Sequence, residues 1–156
     1  MSRPMNHFEM SPYAKYETFK NAFDEVAMHK KNKNYLAAHV VAFSILEDRV
    51  TASYVLCFRA INKLNPPNYE RLHKVPFKQF LDYLIGMGAL DQDLYGELTK
   101  SAHKRNELLH QAMWRLSAFN LKNVDDVRTL INDVQKSTRK FVKAHGAKEL
   151  LSELAE

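Results

Sequence analysis

One long apolar stretch, about residues 34–64, constrains the fold of this chain more than any other part of the sequence. Between residues 35 and 58 its only formal charges are Glu47, Asp48 and Arg49. A helix that is apolar on most of its surface has to be covered on several sides by other elements. We therefore predict one long central helix that ends before Pro66 and Pro67, because proline cannot continue a helix.

Composition favours helices over sheets. Of the 156 residues, 46% are hydrophobic, and only four are glycine and five are proline. That length supports one domain with a real core, whereas a many-stranded sheet would need more glycine and proline in its turns. We therefore predict a single all-α domain over residues 1–156, folded as an up-and-down bundle of four to five helices.

Apolar periodicity and end signals predict four further helices. They span about residues 12–30, 76–87, 92–117 and 123–145, and the last one has a basic outer face. Ser11 is the expected N-cap of the first helix, and Gly86 and Gly88 are expected to stop the third. Asp125 and Asp126 are expected in the first turn of the last helix. The tail beyond it is expected to fray.

Two opposite charges lie on the apolar faces of two different predicted helices. Glu47 lies at the centre of the apolar face of the central helix, and Arg105 lies within the apolar stripe of the fourth. That stripe consists of Leu94, Leu98, Ala102, Leu109, Met113 and Leu116. An unpaired buried charge costs several kcal/mol, so we expect Glu47 and Arg105 to meet across the core. Two roles for the pair stay open, a link that fixes helix register and a part in function.

The polar residues that follow Arg105 resemble a known motif. Asn106 is next, and His110 follows about 140° further around the helix. The segment 77–111 looks like the signature region of HEPN domains, the higher eukaryotes and prokaryotes nucleotide-binding superfamily. The hallmark of that family is Arg, a polar residue, three further positions and His. An acid in the middle of a long early helix is frequent there, which Glu47 or Asp48 would match. The resemblance covers about residues 35–118.

The resemblance implies a metal-independent endoribonuclease that works as a homodimer on RNA and needs no cofactor. His110 would be the general acid or base for attack by a ribose 2′-hydroxyl. Arg105 would bind the scissile phosphate, Asn106 would orient His110 or the phosphate, and Glu47 would hold Arg105. The neighbouring residues that we predict to bind substrate are Lys104, Asp48 and His103. By analogy with the family, the chain would be a toxin or defence nuclease, restrained by an inhibitor or antitoxin protein.

Two other functions stay open on the sequence. The first is a non-catalytic HEPN-like domain that dimerises or binds RNA or nucleotide without cutting it. The second is a metal-binding bundle, because residues 107–110 and 70–73 both have the Glu-x-x-His spacing of di-iron helical bundles. Glu70 falls in a predicted loop beside two prolines, and Arg105 would bring a positive charge near the metal. We therefore predict no metal site.

The remaining signals concern partners and burial. A formal net charge of +5 favours a polyanionic partner such as RNA, although the basic loop before the third helix is expected to be solvated. Cys57, the only cysteine, is predicted to be a buried thiol and not a nucleophile. His39 is expected in the core or an interface. For Trp114, Tyr95 and Tyr83 we predict core or dimer packing over the alternative of stacking on the bases of single-stranded RNA. No apolar run suits a signal peptide or a membrane span, so we expect a cytoplasmic protein.

Overall fold

The computed structural model describes residues 12–154, and within that range it contains five α-helices and no strand. The α-helices are α1 (Pro12–Lys31), α2 (Tyr35–Asn62), α3 (Phe77–Met87), α4 (Gln92–Gln111) and α5 (Leu121–Ala144). Short 3₁₀ helices cover Tyr69–Lys74, Leu116–Ala118 and Lys148–Glu153. The predicted all-α bundle of four to five helices is confirmed.

The long apolar helix α2 is the central element, packed against α1, α3 and α5. Its buried residues come from all around the helix, as its composition predicts. Cys57 is fully buried among them, and burial raises the pKa of its thiol to about 12. The thiol is therefore structural, as predicted.

Within residues 12–154, none of the helices combines the length and the apolar character that a membrane span requires.

Polar side chains fix the beginnings of α2, α4 and α5. Asn34 accepts a hydrogen bond from the backbone N–H of Ala37 at 3.3 Å, and Asp91 accepts one from Leu94 at 2.7 Å. Asn120 and Asn123 form a reciprocal capping box. Each cap satisfies a backbone donor that the first turn of a helix leaves open. The cap predicted for α1, Ser11, lies outside the described residues.

The first residues of α5 differ from the prediction. The capping box starts the helix at Leu121, so Asp125 and Asp126 fall in its second turn and not in its first. They form ion pairs there, Asp125 with Lys30 at 2.7 Å and Asp126 with Lys122 at 2.8 Å. The prediction that they lie in the first turn is therefore wrong.

The ends of α3 and α4 also differ from the prediction. Gly86 lies inside α3, and only Gly88, with φ of +80°, ends it. Helix α4 ends at Gln111, about six residues before the predicted end. Leu109, inside α4, and Met113, beyond its end, are 45% and 81% exposed and do not belong to the core. Leu108 is buried on α4 in their place, and the side chain of Leu116 lies outside the described part.

The C-terminal tail packs onto the bundle, so the prediction that it frays is wrong. Ala147 and Leu154 flank its 3₁₀ helix and are both buried in the core. Glu153 forms an ion pair with Arg59 of α2 at 2.6 Å. A short segment with its own apolar anchors can be held by the bundle although its helical periodicity is weak.

The connection between α2 and α3 runs back along α2. Its 3₁₀ helix buries Leu72, and ring contacts join Phe43 to Phe77 and Tyr54 to Phe80, with centroids 5.4 Å apart in each pair. Helix α3 therefore begins beside the first half of α2. This return brings the connecting segment beside the middle of α2, close to Glu47.

Candidate functional site

Arg105 of α4 and Glu47 of α2 form the ion pair that the sequence predicts. Nη1 of Arg105 lies 2.5 Å from Oε1 of Glu47. The guanidinium also lies over the ring of Phe43, with Cζ 4.2 Å from the ring centroid. The two side chains remain 26% and 44% exposed, so the expectation of a fully buried pair is wrong. The reason is that α4 packs mainly against α3 and α5, and reaches α2 here through its longest side chain.

Asn106 completes the support of the guanidinium. Its Oδ1 accepts a hydrogen bond from Nη2 of Arg105 at 3.3 Å. Glu47, Asn106 and the ring of Phe43 thus hold Arg105 in one orientation. Because a guanidinium carries five N–H groups, these two bonds leave a second hydrogen on each terminal nitrogen. A fixed and partly exposed guanidinium of this kind can bind two oxygens of a phosphate.

His110 lies on the solvent side of α4, away from the supported guanidinium. It is exposed, and it makes no hydrogen bond or ion pair within residues 12–154. Asn106 contacts Arg105, so it does not orient His110 in the single chain. The helix surface between Arg105 and His110 carries Leu109 and Met113, both exposed. One chain therefore presents the guanidinium and the imidazole on the two borders of an open apolar strip.

The other predicted substrate-binding residues lie apart from Arg105. Asp48 accepts from Nη2 of Arg49 at 3.1 Å. His103, 76% exposed, lies 3.2 Å from Glu107 on the same helix. His103 and Lys104 line a groove of about 910 Å³ between α4 and α5. The structure thus joins Glu47, Arg105 and Asn106 through hydrogen bonds, and it places His103 and Lys104 along a different groove.

A small cleft lies on the side of Glu47 that faces the connecting segment. It has a volume of about 150 Å³, and its walls include Glu47 and Asp48 from α2 and His73 from the segment. His73 belongs to the basic loop that the sequence predicts to be solvated, and it is exposed. The return of the chain along α2 places this histidine near the carboxylate that holds Arg105. Sequence spacing gives no sign of that proximity.

Two further residues of α2, Phe43 and His39, lie on the same face as Glu47, about one and two helical turns before it. Phe43 lies under Arg105, and its ring stacks on that of His39 at 6.2 Å and 16°. His39 is 2% exposed, and its Nδ1 has no hydrogen-bond partner within the described chain. Burial, and then the charge of Arg105, lower the pKa of His39, so the imidazole stays neutral. The prediction that His39 is a core residue is confirmed, although its Nδ1 lacks the partner that a buried polar atom usually has.

The most deeply buried charge on α2 is Arg49 and not Glu47. Arg49 is 1% exposed, and its Cζ lies 3.8 Å from the ring centroid of Phe19 on α1. The sequence missed it because α2 is covered on all sides, so a helical wheel cannot tell which arc is deepest. The spacing of His39, Phe43 and Glu47, four residues apart on one face, could have identified the ring beneath Arg105.

The three aromatic residues predicted to pack behave differently from one another. The ring of Tyr83 stacks on that of Tyr54 at 5.2 Å, and the hydroxyl of Tyr95 donates to Asp82 at 2.6 Å. Trp114 is 79% exposed just beyond α4, and Tyr83 is itself 40% exposed. Core packing is therefore wrong for Trp114 and Tyr83, and packing in an interface stays a prediction.

The two Glu-x-x-His sequences do not meet. Glu70 and His73 lie on the 3₁₀ helix of the connection, and Glu107 and His110 lie on α4. Within residues 12–154 no group of three or more His, Cys, Asp and Glu side chains is placed to share a metal ion. Comparison of the chain with protein-family models, curated proteins and solved structures yields no match.

Proposed function

We propose that this chain is a metal-independent endoribonuclease of the HEPN type that cleaves RNA as a homodimer. The observation that carries the proposal is the guanidinium of Arg105, held by Glu47, Asn106 and Phe43 on the helix that also carries His110. A fixed phosphate-binding cation and an exposed imidazole are the two groups that this reaction requires. The resemblance of residues 35–118 to HEPN domains supports the same assignment.

The reaction is an internal transfer within RNA. The ribose 2′-oxygen attacks the adjacent phosphorus, its proton passes to a base, and the bond from phosphorus to the 5′-oxygen breaks. The departing oxygen takes a proton from an acid, which leaves a 2′,3′-cyclic phosphate and a 5′-hydroxyl. His110 exchanges these protons, since an imidazole titrates near neutral pH. Arg105 binds the phosphate oxygens and stabilises the charge that develops on them.

A dimer supplies what one chain lacks. Leu109 and Met113 separate Arg105 from His110 and are both exposed. A second copy that covers this apolar strip brings two Arg105 and two His110 side chains into one cleft. One imidazole can then accept the 2′-hydroxyl proton while the other donates to the leaving oxygen. Asn106, already bound to Arg105, is placed to contact the same phosphate.

The test is cleavage of structured and unstructured RNAs in EDTA, followed by analysis of the fragment ends. Wild type should produce 2′,3′-cyclic phosphates, and Arg105→Ala and His110→Ala should each lose cleavage by about 100-fold or more. Arg128→Ala is a matched control, because Arg128 also stacks on a phenylalanine, Phe23, with Cζ 5.1 Å from its ring centroid. His29→Ala provides a histidine control on α1.

A second candidate is a HEPN-like domain that dimerises or binds RNA without cutting it. It is favoured by one observation, the lack of any contact that orients His110 within the described chain. This second function would be supported if well-folded wild type bound RNA but left every RNA in the panel intact. In either case we place the protein in the cytoplasm. For the active enzyme we propose a role as a toxin or defence nuclease, held in check by an inhibitor or antitoxin protein.

A further inference from the structure

We infer that Trp114 is a stacking platform for an unpaired base next to the scissile phosphate, so that the substrate is single-stranded RNA. This inference rests on the proposed function. Trp114 is the only tryptophan of the chain, and it is 79% exposed. Large aromatic side chains are usually well buried in folded proteins. A tryptophan so exposed therefore points to a partner outside the chain.

The position of Trp114 relates it to His110. Beyond Gln111 the backbone keeps a helical path, because Gln111 O accepts from the N–H groups of both Trp114 and Arg115, at 2.9 and 2.7 Å. Trp114 thus follows His110 by about one helical turn, or about 6 Å along the axis. A base on the indole therefore lies beside the phosphate that His110 serves.

The partner of Trp114 is better matched by RNA than by a second copy. Arg115, directly after it, is exposed and supplies a cation for the neighbouring phosphate. The apolar strip of Leu109 and Met113 that a second copy would cover lies on the Arg105 side of His110. On the helix surface Trp114 lies on the other side, with His103 and Glu107. A dimer through the strip leaves the indole free for substrate.

Stacking on an indole requires that the base leaves its own helix. Every base has a flat face, so the platform selects unpaired nucleotides more than any particular sequence. Loss of the ring should therefore weaken binding of single-stranded RNA about 10-fold to 100-fold. Duplex RNA, whose bases are already stacked, should bind weakly to wild type and be insensitive to this change.

The emission of Trp114 gives a direct test, because the chain has no other tryptophan. Wild type is titrated with a 2′-fluoro oligonucleotide, which lacks the attacking hydroxyl and so stays intact. A single-stranded oligonucleotide should quench the emission at the same concentrations at which the anisotropy of a labelled copy reports binding. The matching duplex should not quench it. Binding without quenching would overturn the platform and leave the nuclease proposal standing.

Cleavage of natural RNA provides the second readout. Trp114→Ala should raise KM for single-stranded RNA about 10-fold or more, with kcat less affected, and Trp114→Phe should restore most of the loss. The change should have no effect on an RNA that is abasic next to the cut. Tyr16→Ala, at a 47% exposed tyrosine on α1, is the control for loss of an exposed aromatic ring. Should Trp114→Ala instead dissociate a dimer, Trp114 belongs to the interface and the inference is wrong.

Discussion

At the scale of single residues, the ion pair of Glu47 and Arg105 serves either helix register or function. Measuring the free energy of unfolding and the cleavage rate of the same variant distinguishes the two roles. Both side chains are partly exposed, so the pair should contribute about 1 kcal/mol or less to the free energy of unfolding. Misplacement of a phosphate-binding group by even 1 Å can lower a rate about 100-fold. We therefore expect Glu47→Gln to unfold in urea close to wild type and to lose cleavage up to about 100-fold.

The matched control for Glu47→Gln is Glu153→Gln. Glu153 forms a similarly exposed ion pair with Arg59, 2.6 Å apart, far from the candidate site along the chain. This variant should keep its cleavage rate. A large loss of stability in Glu47→Gln, with cleavage retained, would show that the pair serves helix register alone.

His39 predicts how stability depends on pH. Burial and the charge of Arg105 lower the pKa of His39, so the folded chain binds a proton there only at a pH below the ordinary value of histidine. The unfolded chain binds it near pH 6.5, the ordinary value for histidine. Below that pH the unfolded state carries more protons, so the free energy of unfolding should fall as the solution is acidified. In His39→Leu this fall between pH 7 and pH 5 should become shallower.

Urea unfolding across that pH range measures the effect. His103→Leu is the control, since it makes the same chemical change at a histidine that is 76% exposed. An unchanged slope in His39→Leu would mean that His39 is not the group that titrates on unfolding.

The contact between Glu47 and Arg105 could be predicted because each charge interrupts an otherwise apolar face, and opposite charges need one another there. The partial exposure of this ion pair could not be predicted, because the exposure depends on which helices α4 packs against. The ring of Phe43 beneath the guanidinium and the burial of Arg49 were missed for a related reason. On a helix that is covered on all sides, a helical wheel shows in which direction a side chain points but not how deeply it is buried.

At the scale of elements, helix beginnings were easier to predict than helix ends. Asn34 and Asp91 cap α2 and α4 through their own side chains, so a single residue type in the sequence indicates each beginning. The end of α4 at Gln111 has no glycine or proline to mark it, and the predicted stripe ran on to Leu116 as a result. The C-terminal tail was missed because its anchor, Leu154, works through tertiary packing.

Gly86 and Gly88 should respond oppositely to alanine. A Cβ at either position would meet nothing within 4 Å, so the difference lies in the backbone alone. Gly86 is helical, and Gly86→Ala should stabilise the fold by about 0.5–1 kcal/mol. Gly88 has φ of +80°, and Gly88→Ala should destabilise it by about 1 kcal/mol or more. Urea unfolding of the two variants side by side checks both signs, and equal shifts would contradict the assigned end of α3.

The tail should contribute measurably to stability. Leu154 is 2% exposed, so Leu154→Ala should lower the free energy of unfolding by about 2–4 kcal/mol. Leu64→Ala makes the same chemical change at a 61% exposed leucine and should cost less than about 0.5 kcal/mol. Thermal or urea unfolding distinguishes them. If Leu154→Ala unfolds like wild type, the tail is frayed in solution, as its sequence suggests.

At the scale of the whole molecule, the proposed enzyme depends on a dimer interface whose residues the sequence periodicity assigned to the core. The pattern assigned Leu109 and Met113 to the core, but in the folded chain both are exposed beside the candidate catalytic residues. A lysine placed in an apolar contact loses its water without gaining a partner, which disfavours association. Leu109→Lys and Met113→Lys should therefore shift the protein to monomer in sedimentation experiments and abolish cleavage together.

Leu64→Lys, at an exposed leucine just beyond the end of α2, is the control and should remain dimeric and active. A complementation experiment then tests whether the two copies share one cleft. Mixed dimers of Arg105→Ala and His110→Ala chains contain one intact Arg105 and one intact His110, on different subunits. If catalysis joins an arginine and a histidine across the interface, the mixture should recover part of the activity that each variant lacks alone. Monomeric strip variants that still cut RNA at the wild-type rate would show instead that Arg105 and His110 act within one chain, and that the dimer is dispensable.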